Sequence, residues 1–225
     1  MSIKNNIDRL RSEIAEVCAR IGRNPAEIIV VAASKYVGAD GVIEAREAGL
    51  ENFGENRVQD ALDKIEACPD DLHWHFIGHL QRNKVTKVVG VFENIHSVDS
   101  DRLAMKIDQI AREYGIIQNI MIEVNLSDEE SKFGLETEEV SKLAERILAL
   151  DNIRLTGFMT MAPFVDDEEI IRNVFRGLRR LRDDLQSRFG TEIPFLSMGM
   201  TNDWRIAIEE GATHLRIGSA IFKAQ

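Results

Sequence analysis

Apolar positions along this chain recur in two rhythms that alternate over its whole length. The first segment follows the helical rhythm, since its apolar residues are spaced by three and four: Ile3, Ile7, Leu10, Ile14, Val17 and Ile21. This spacing predicts an amphipathic helix that ends near Gly22. Beyond that helix, short apolar runs typical of buried strands alternate with further helical segments.

The short apolar runs predict eight strands, at 28–34, 51–54, 73–78, 94–98, 118–125, 153–159, 193–197 and 213–217. The helical rhythm predicts helices near 39–48, 56–67, 81–91, 100–114, 137–150, 167–189 and 203–210. No Gly-, Ser- or Pro-rich linker interrupts this alternation, which favours a closed parallel barrel over the alternative of an open doubly wound sheet. We therefore predict an α/β fold, a modified TIM (β/α)8 barrel that forms a single domain over residues 1–225 with an extra N-terminal helix.

The last repeat of the predicted barrel is incomplete. Only residues 220–225 follow the eighth strand, which is too short a segment for a full eighth helix. We predict that the N-terminal helix takes the place of that helix in the outer ring.

Composition narrows the classes of function. Lys and Arg number 28 against 38 Asp and Glu, a formal net charge of -10, and no basic stripe typical of nucleic-acid binding is present. The first ten residues carry charges rather than the apolar core of a signal peptide, and no window approaches the roughly 18 apolar residues of a membrane span. The two cysteines, Cys18 and Cys68, have neither metal-type nor disulfide-type spacing. We expect a cytoplasmic protein that binds neither nucleic acid nor membranes.

The first strand ends on a lysine, Lys35, after the apolar run 28–34. Desolvation at the C-terminal mouth of a buried strand lowers the pKa of a lysine and leaves a nucleophilic amine. Such an amine is suited to form a Schiff base with an aldehyde. Because catalytic groups of parallel barrels gather at this end, we predict that Lys35 belongs to the site.

The two final strands end in small and hydroxyl-bearing residues, at 197–201 and at 218–219. Glycines, hydroxyl groups and helix N-termini together form sites for a phosphate group, and barrels often bind phosphate after strands seven and eight. These ends therefore predict a phosphate site. A polar residue that merely marks the end of a strand remains the simpler alternative at each single position.

Arg216 lies within the eighth predicted strand. Alternation places His214, Arg216 and Gly218 on one face, so Arg216 is expected to point into the barrel mouth. A buried guanidinium needs a partner. Two readings stay open: a salt bridge to a barrel carboxylate such as Glu123, or a hydrogen bond to a heteroaromatic nitrogen of a ligand.

Three histidines of the third strand, His73, His75 and His79, share one face. Their spacing spreads them over roughly 20 Å, too far for a single ion, so we predict no metal site. His73 and His75 are expected in the core or at the barrel bottom. His79, at the mouth, is expected to contact a ligand.

Several motifs in fixed order resemble one known family. They lie at 33–35 (ASK), 53–59 (FGENRVQ), 73–81 (HWHFIGHLQ), 95–99 (IHSVD), 157–159 (GFM), 196–200 (LSMGM) and 216–218 (RIG). Together they resemble the pyridoxal phosphate homeostasis proteins, which are similar to the N-terminal domain of alanine racemases. The resemblance runs from about residue 5 to residue 222 and is carried by the combination of motifs.

The resemblance implies a barrel that holds pyridoxal 5'-phosphate as an internal aldimine on Lys35. It implies that Arg216 faces the pyridine nitrogen. It also implies two sets of cofactor contacts, a phosphate set of Ser197, Met198, Gly199, Thr201, Gly218 and Ser219 and a ring-flanking set of Asn56, His79 and Met159. Phe133 departs from the smaller residues usual in its loop, which implies altered access to the mouth.

The resemblance leaves three functional classes open. An arginine at the pyridine nitrogen weakens the ring as an electron sink, and the racemases take their second acid/base group, a tyrosine, from a domain absent here. Tyr36 is expected to turn away from Lys35 by strand alternation. We therefore predict a monomeric, non-enzymatic carrier in intracellular vitamin B6 and amino-acid homeostasis, with apo-enzymes that depend on the cofactor as candidate partners. The alternatives are a weak racemase or another Schiff-base enzyme, and a regulatory interaction protein whose cofactor is only a signal.

Overall fold

Eight parallel strands close into a barrel in the computed structural model, which describes residues 2–126 and 134–223. The strands are β1 (Ile29–Ala33), β2 (Asn52–Glu55), β3 (His73–Phe76), β4 (Asn94–Val98), β5 (Gln118–Glu123), β6 (Ile153–Met159), β7 (Phe195–Ser197) and β8 (His214–Ile217). Each strand pairs with the next along the chain, and β1 closes the barrel against β8. The predicted closed (β/α)8 barrel is confirmed, and the open sheet is excluded.

Helices surround the barrel. They are α1 (Ile3–Ile21), α2 (Ala39–Glu47), α3 (Val58–Glu66), α4 (Asp101–Tyr114), α5 (Thr137–Leu148), α6 (Glu168–Phe189), α7 (Trp204–Glu209) and α8 (Ser219–Phe222). Their buried apolar faces and the outward faces of the strands form one continuous core. No helix in the described part of the chain is both long and apolar enough to cross a membrane. The predicted effect of Phe133 on access lies outside the described residues.

The segment between β3 and β4 differs from its prediction. Instead of a helix over 81–91 it forms a short 3₁₀ helix, Arg82–Lys87, followed by turns. Val85, Val88, Val89 and Phe92 are buried at helical spacing, which explains the prediction. Gly90 ends the segment with a φ of 80°, a conformation that a continuing helix does not allow. Branched valines at this density also lower helix propensity.

The N-terminal helix α1 fills the gap in the outer ring. It packs against α2, α7 and α8, and α8 is a single turn. Asn6 on its buried face donates a side-chain hydrogen bond to Ile221 O at 2.9 Å. This arrangement confirms that the first helix stands where an eighth full-length helix would lie.

Candidate functional site

A cavity of about 490 Å³ opens at the C-terminal end of the barrel strands. Loops after β1, β6, β7 and β8 form its walls. Five residues predicted for the site line it together: Lys35, Thr201, Arg216, Gly218 and Ser219. The structure therefore brings the predicted amine, two of the predicted hydroxyl groups and the predicted guanidinium into one space.

Lys35 lies in this cavity but not in the environment that its sequence position suggested. Strand β1 ends at Ala33, and Val37 N donates to Ser34 O at 3.0 Å, which makes 34–37 a turn. Lys35 is consequently an exposed turn residue, whereas Ser34 is buried. The expected desolvation of Lys35 at a strand end is wrong, because the chain leaves the barrel before it reaches this residue.

Tyr36 also lines the cavity, which corrects a second expectation. The Lys35 Nζ lies 4.9 Å from the centre of the Tyr36 ring, and 88% of Tyr36 is exposed. Strand alternation was expected to separate these side chains, but alternation does not apply within a turn. The cavity therefore places a phenol beside the amine.

A buried ion pair supports the turn from below. Lys64 of α3 donates from Nζ to Glu55 Oε1 at 2.6 Å and to Ser34 O at 2.8 Å. Ser34 Oγ donates to the same carboxylate oxygen at 2.6 Å. Both charged side chains are almost fully buried, 8% and 1% exposed. The residue before Lys35 is thus held through its carbonyl and its hydroxyl group.

The opposite wall carries the hydroxyl groups. Ser219 Oγ donates to Thr201 Oγ1 at 3.1 Å, and both residues are half-buried. Ser219 begins α8, and the first N–H groups of a helix have no partner within that helix. Gly199 turns the β7 loop with a φ of 94°, and a Cβ there would lie 2.6 Å from the Ala207 Cβ. These hydroxyl and N–H donors fit a phosphate group.

Arg216 is held at the floor of the cavity by backbone and hydroxyl acceptors. Its Nη1 donates to Ser197 O and Ser197 Oγ, both at 2.7 Å, and its Nη2 donates to Thr160 O at 2.9 Å. Burial lowers the pKa of Arg216 to about 10, and the carboxylates of Asp203 and Glu123 oppose that shift. The side chain therefore stays cationic at neutral pH.

Glu123 lies near this guanidinium without pairing with it. Among the described residues no ion pair joins Glu123 to Arg216, so the salt-bridge reading is not realised. Burial raises the pKa of Glu123 to about 7, the negative charge of Asp99 adds to the rise, and Arg216 opposes it. A buried carboxyl group that titrates near neutrality therefore interacts electrostatically with the fixed cation of the cavity floor.

The remaining predicted residues lie outside the cavity lining. Asn56 and His79 line a separate groove of about 330 Å³ beyond β2 and β3, and His79 Nδ1 lies 3.3 Å from Asp99 Oδ2. A Cβ on Gly78 would lie 2.3 Å from Asn56 O, so glycine permits this close approach. Met159, Ser197 and Met198 are buried in or behind the barrel wall, and Gly199 lies one residue before the lining. That these six residues outside the cavity lining contact the cofactor remains a prediction.

Three features of the site were not predicted. Strand alternation predicts the wrong orientation for Tyr36. Lys64 continues the buried i, i+3 row of Val58 and Ala61 on α3, and this row is the sequence signal for its burial. Asp203 lines the cavity, accepts a hydrogen bond from Met200 N and has its pKa raised by burial. No pattern in the sequence marks Asp203 beyond its position before α7.

The comparisons agree in fold and family. The family described as alanine racemase, N-terminal domain, matches residues 5–225. A pyridoxal phosphate homeostasis protein of Aquifex aeolicus is 43% identical over 223 residues, which are 99% of this chain and 98% of the relative. The structure of an unknown protein from Bifidobacterium adolescentis has a TM-score of 0.92 at 36% identity, covering 98% of this chain and 94% of that one. The structure of PipY from Synechococcus elongatus with PLP bound has a TM-score of 0.88 at 33% identity, covering 99% and 100%.

Proposed function

The chain belongs to the pyridoxal phosphate homeostasis proteins of the alanine racemase N-terminal domain family, and from this we propose that it binds pyridoxal 5'-phosphate in the cavity at the barrel mouth. Its role is then to hold this cofactor in vitamin B6 and amino-acid homeostasis. The single observation that carries the proposal is that Lys35, Arg216 and the Thr201–Ser219 hydroxyl pair line one cavity. An amine, a cation and a phosphate cradle match the aldehyde, the ring nitrogen and the phosphate of the cofactor.

Lys35 supplies the covalent attachment in this proposal. Its unprotonated Nζ adds to the aldehyde carbon, the C=O bond is replaced by a C=N bond, and one water molecule leaves. The buried Lys64–Glu55 pair holds Ser34, so the backbone that presents Lys35 is fixed even though the amine is exposed. An exposed attachment site suits reversible loading and release.

Arg216 favours storage over turnover. The three hydrogen bonds with Ser197 and Thr160 hold its guanidinium on the cavity floor, where it is proposed to donate to the pyridine nitrogen. A permanent cation that donates there keeps the nitrogen unprotonated, so the ring withdraws electrons weakly. We therefore propose a carrier without robust turnover.

One observation keeps a catalytic alternative in view. Tyr36 lies beside Lys35 in the cavity, where a phenol could exchange protons with a substrate. Racemisation needs groups on opposite faces of the substrate carbon, whereas this tyrosine stands on the lysine side. Incubation of the loaded protein with L-alanine, followed by chiral chromatography, separates the two functions. Turnover at ordinary enzymatic rates that Tyr36→Phe abolishes would establish the enzyme.

The attachment is tested by borohydride reduction of the loaded protein followed by peptide mapping. We expect a yellow protein with the label on the Lys35 peptide, and Lys35→Ala should remove the label from that peptide. Lys223 lines the same cavity and provides the matched control, because Lys223→Ala should leave the label in place. A protein that stays colourless with excess cofactor, or a label on another residue of the parent protein, would refute the proposal.

Three further parts of the proposal are a monomeric state, a cytoplasmic setting and transfer of the cofactor to apo-enzymes. Size-exclusion chromatography with light scattering tests the first. Transfer is tested by mixing the loaded protein with an apo-enzyme that depends on the cofactor and following the activity that returns. The two buried free cysteines, Cys18 and Cys68, are consistent with a reducing compartment.

A further inference from the structure

A network of four hydrogen bonds crosses the barrel interior from its lower end to the cavity floor. Asn52 Oδ1 lies 3.0 Å from His75 Nε2, and His75 Nδ1 lies 3.0 Å from His96 Nε2. His96 Nδ1 lies 2.9 Å from Ser197 Oγ, which accepts from Arg216 Nη1 at 2.7 Å. The network joins side chains of β2, β3, β4, β7 and β8, so no local sequence pattern reveals it.

Both histidines of the network are neutral. Burial lowers the pKa of His75 to about 4 and that of His96 well below its ordinary value. The positive charge of Arg216 adds to the lowering of the His96 pKa. A neutral imidazole carries one N–H, so each ring donates from one nitrogen and accepts at the other.

The two end residues of the network determine which atom donates in each of its hydrogen bonds. Asn52 Oδ1 only accepts, so His75 carries its proton on Nε2 and accepts at Nδ1. His96 must then donate from Nε2 and accept at Nδ1. Ser197 Oγ donates its hydroxyl proton to His96, which leaves its lone pairs for Arg216. At the other end of the network Arg216 only donates, so the donor and acceptor assignments are consistent in all four hydrogen bonds.

We propose that Ser197 is a positioning residue for Arg216 and that Asn52, through His75 and His96, fixes the hydroxyl orientation that Ser197 needs for this role. Ser197 then acts on the cofactor through Arg216, not through the phosphate. The functional part of this proposal rests on the proposed binding of pyridoxal 5'-phosphate, whereas the proton arrangement does not.

The hydrogen bonds of Arg216 show what this positioning achieves. Three of its five N–H donors are used by Ser197 O, Ser197 Oγ and Thr160 O. All donors of Nη1 are thereby engaged, and the remaining two, on Nε and Nη2, form the edge left for a ligand. A guanidinium that rotated away from Ser197 Oγ would present a different edge to the cavity.

The proton arrangement is tested by long-range ¹H–¹⁵N correlation spectra of cofactor-free protein with ¹⁵N-labelled histidine. We expect the Nε2–H tautomer for His75 and His96. His214 is the internal reference: its Nδ1 lies 2.9 Å from Thr213 Oγ1, which already donates to Leu196 O, so Nδ1–H is expected there. Nδ1–H tautomers at His75 and His96, as would follow from a reversed Asn52 amide, would overturn the proposal.

Two matched pairs of variants test the link to Arg216. Asn52→Asp keeps the acceptor and should keep both tautomers, whereas Asn52→Leu removes the acceptor and should leave mixed tautomers at His75. Ser197→Ala keeps the carbonyl that Arg216 uses and removes only the hydroxyl group. We expect it to weaken cofactor binding about tenfold and to shift the absorbance band of the bound cofactor.

The control for Ser197→Ala is Thr156→Ala, which also removes a buried hydroxyl group of the barrel, but one that bonds Ile120 O and Asn94 and not Arg216. This variant should leave the band position unchanged. Unaltered affinity and band position in both Ser197→Ala and Asn52→Leu would refute the positioning role. Failure of the parent protein to bind the cofactor would refute the proposed function instead, and the histidine spectra would still decide the proton arrangement.

Discussion

Replacing Lys64 with methionine would remove one half of the buried ion pair beneath Lys35. Methionine has a similar length and no charge, so packing changes little. The Glu55 carboxylate would remain 1% exposed with Ser34 Oγ as its hydrogen-bond donor. Its second oxygen, Oε2, has no hydrogen-bond partner among the described residues even in the parent protein. The substitution thus leaves a buried charge with very little compensation.

The expected loss follows from the geometry. The Lys64 Nζ and Glu55 Oε1 atoms are 2.6 Å apart. At an effective dielectric constant of about 20, that separation corresponds to an attraction of about 6 kcal/mol, part of which offsets desolvation of the two ions. Removing one member of such a pair typically costs about 3–5 kcal/mol. We expect Lys64→Met to lower the free energy of unfolding by this amount.

Urea denaturation of the cofactor-free protein at pH 7 measures the loss. Glu55→Leu combined with Lys64→Met removes both charges and should regain most of the stability, which would give a coupling energy of at least about 2 kcal/mol. The exposed pair of Lys4 and Asp8 provides the control, since Lys4→Met should change stability by less than about 0.5 kcal/mol. A loss below about 1 kcal/mol for Lys64→Met, or a double variant as unstable as the sum of its single changes, would contradict the reasoning.

Three other substitutions test separate parts of the site. The folded state raises the pKa of Glu123 from 4.5 to about 7, so the stability of the parent protein falls as pH rises through this window. Glu123→Gln should therefore stabilise the protein by about 3 kcal/mol at pH 8 and hardly at pH 4. Thermal midpoints of parent and variant that change in parallel with pH would contradict this. Gly199→Ala should lower the thermal midpoint of unfolding. The new Cβ adds strain of about 1–3 kcal/mol at positive φ and lies only 2.6 Å from Ala207 Cβ. An unchanged midpoint would contradict this prediction. Thr201→Val should weaken cofactor binding about tenfold in equilibrium dialysis by removing the hydroxyl group that Ser219 contacts; equal affinity would exclude a phosphate role for this residue.

The order of strands could be predicted because each strand has its own apolar run and each run is followed by a helical pattern. Arg216 could be placed inside the barrel mouth because strand alternation is a local rule. The desolvation predicted for Lys35 and the orientation predicted for Tyr36 were wrong because strand geometry was extended beyond the end of β1 at Ala33. Whether a strand ends one residue earlier depends on hydrogen bonds to the neighbouring strand, which lie far away in the sequence.

The interior of the site was the least predictable part. His75 was recognised as a barrel residue, but its partners His96 and His214 come from β4 and β8. Spacing within one strand says nothing about which rings meet across a closed barrel. Lys64 shows the same limitation, since a lysine on a helix is ordinarily solvated and only the carboxylate of Glu55, on the adjacent strand, makes its burial favourable.

The contact between α1 and α8 has a consequence for how this chain folds during synthesis. Helix α1 is synthesised before the barrel strands, but Asn6 finds its acceptor in Ile221, 215 residues later. Until the last turn is made, the apolar stripe of α1 has no partner on α7 or α8 and remains available to other surfaces. Contacts between such distant parts of a chain slow folding, so docking of the first helix is expected to be a late event that completes the ring only after α8 has been synthesised.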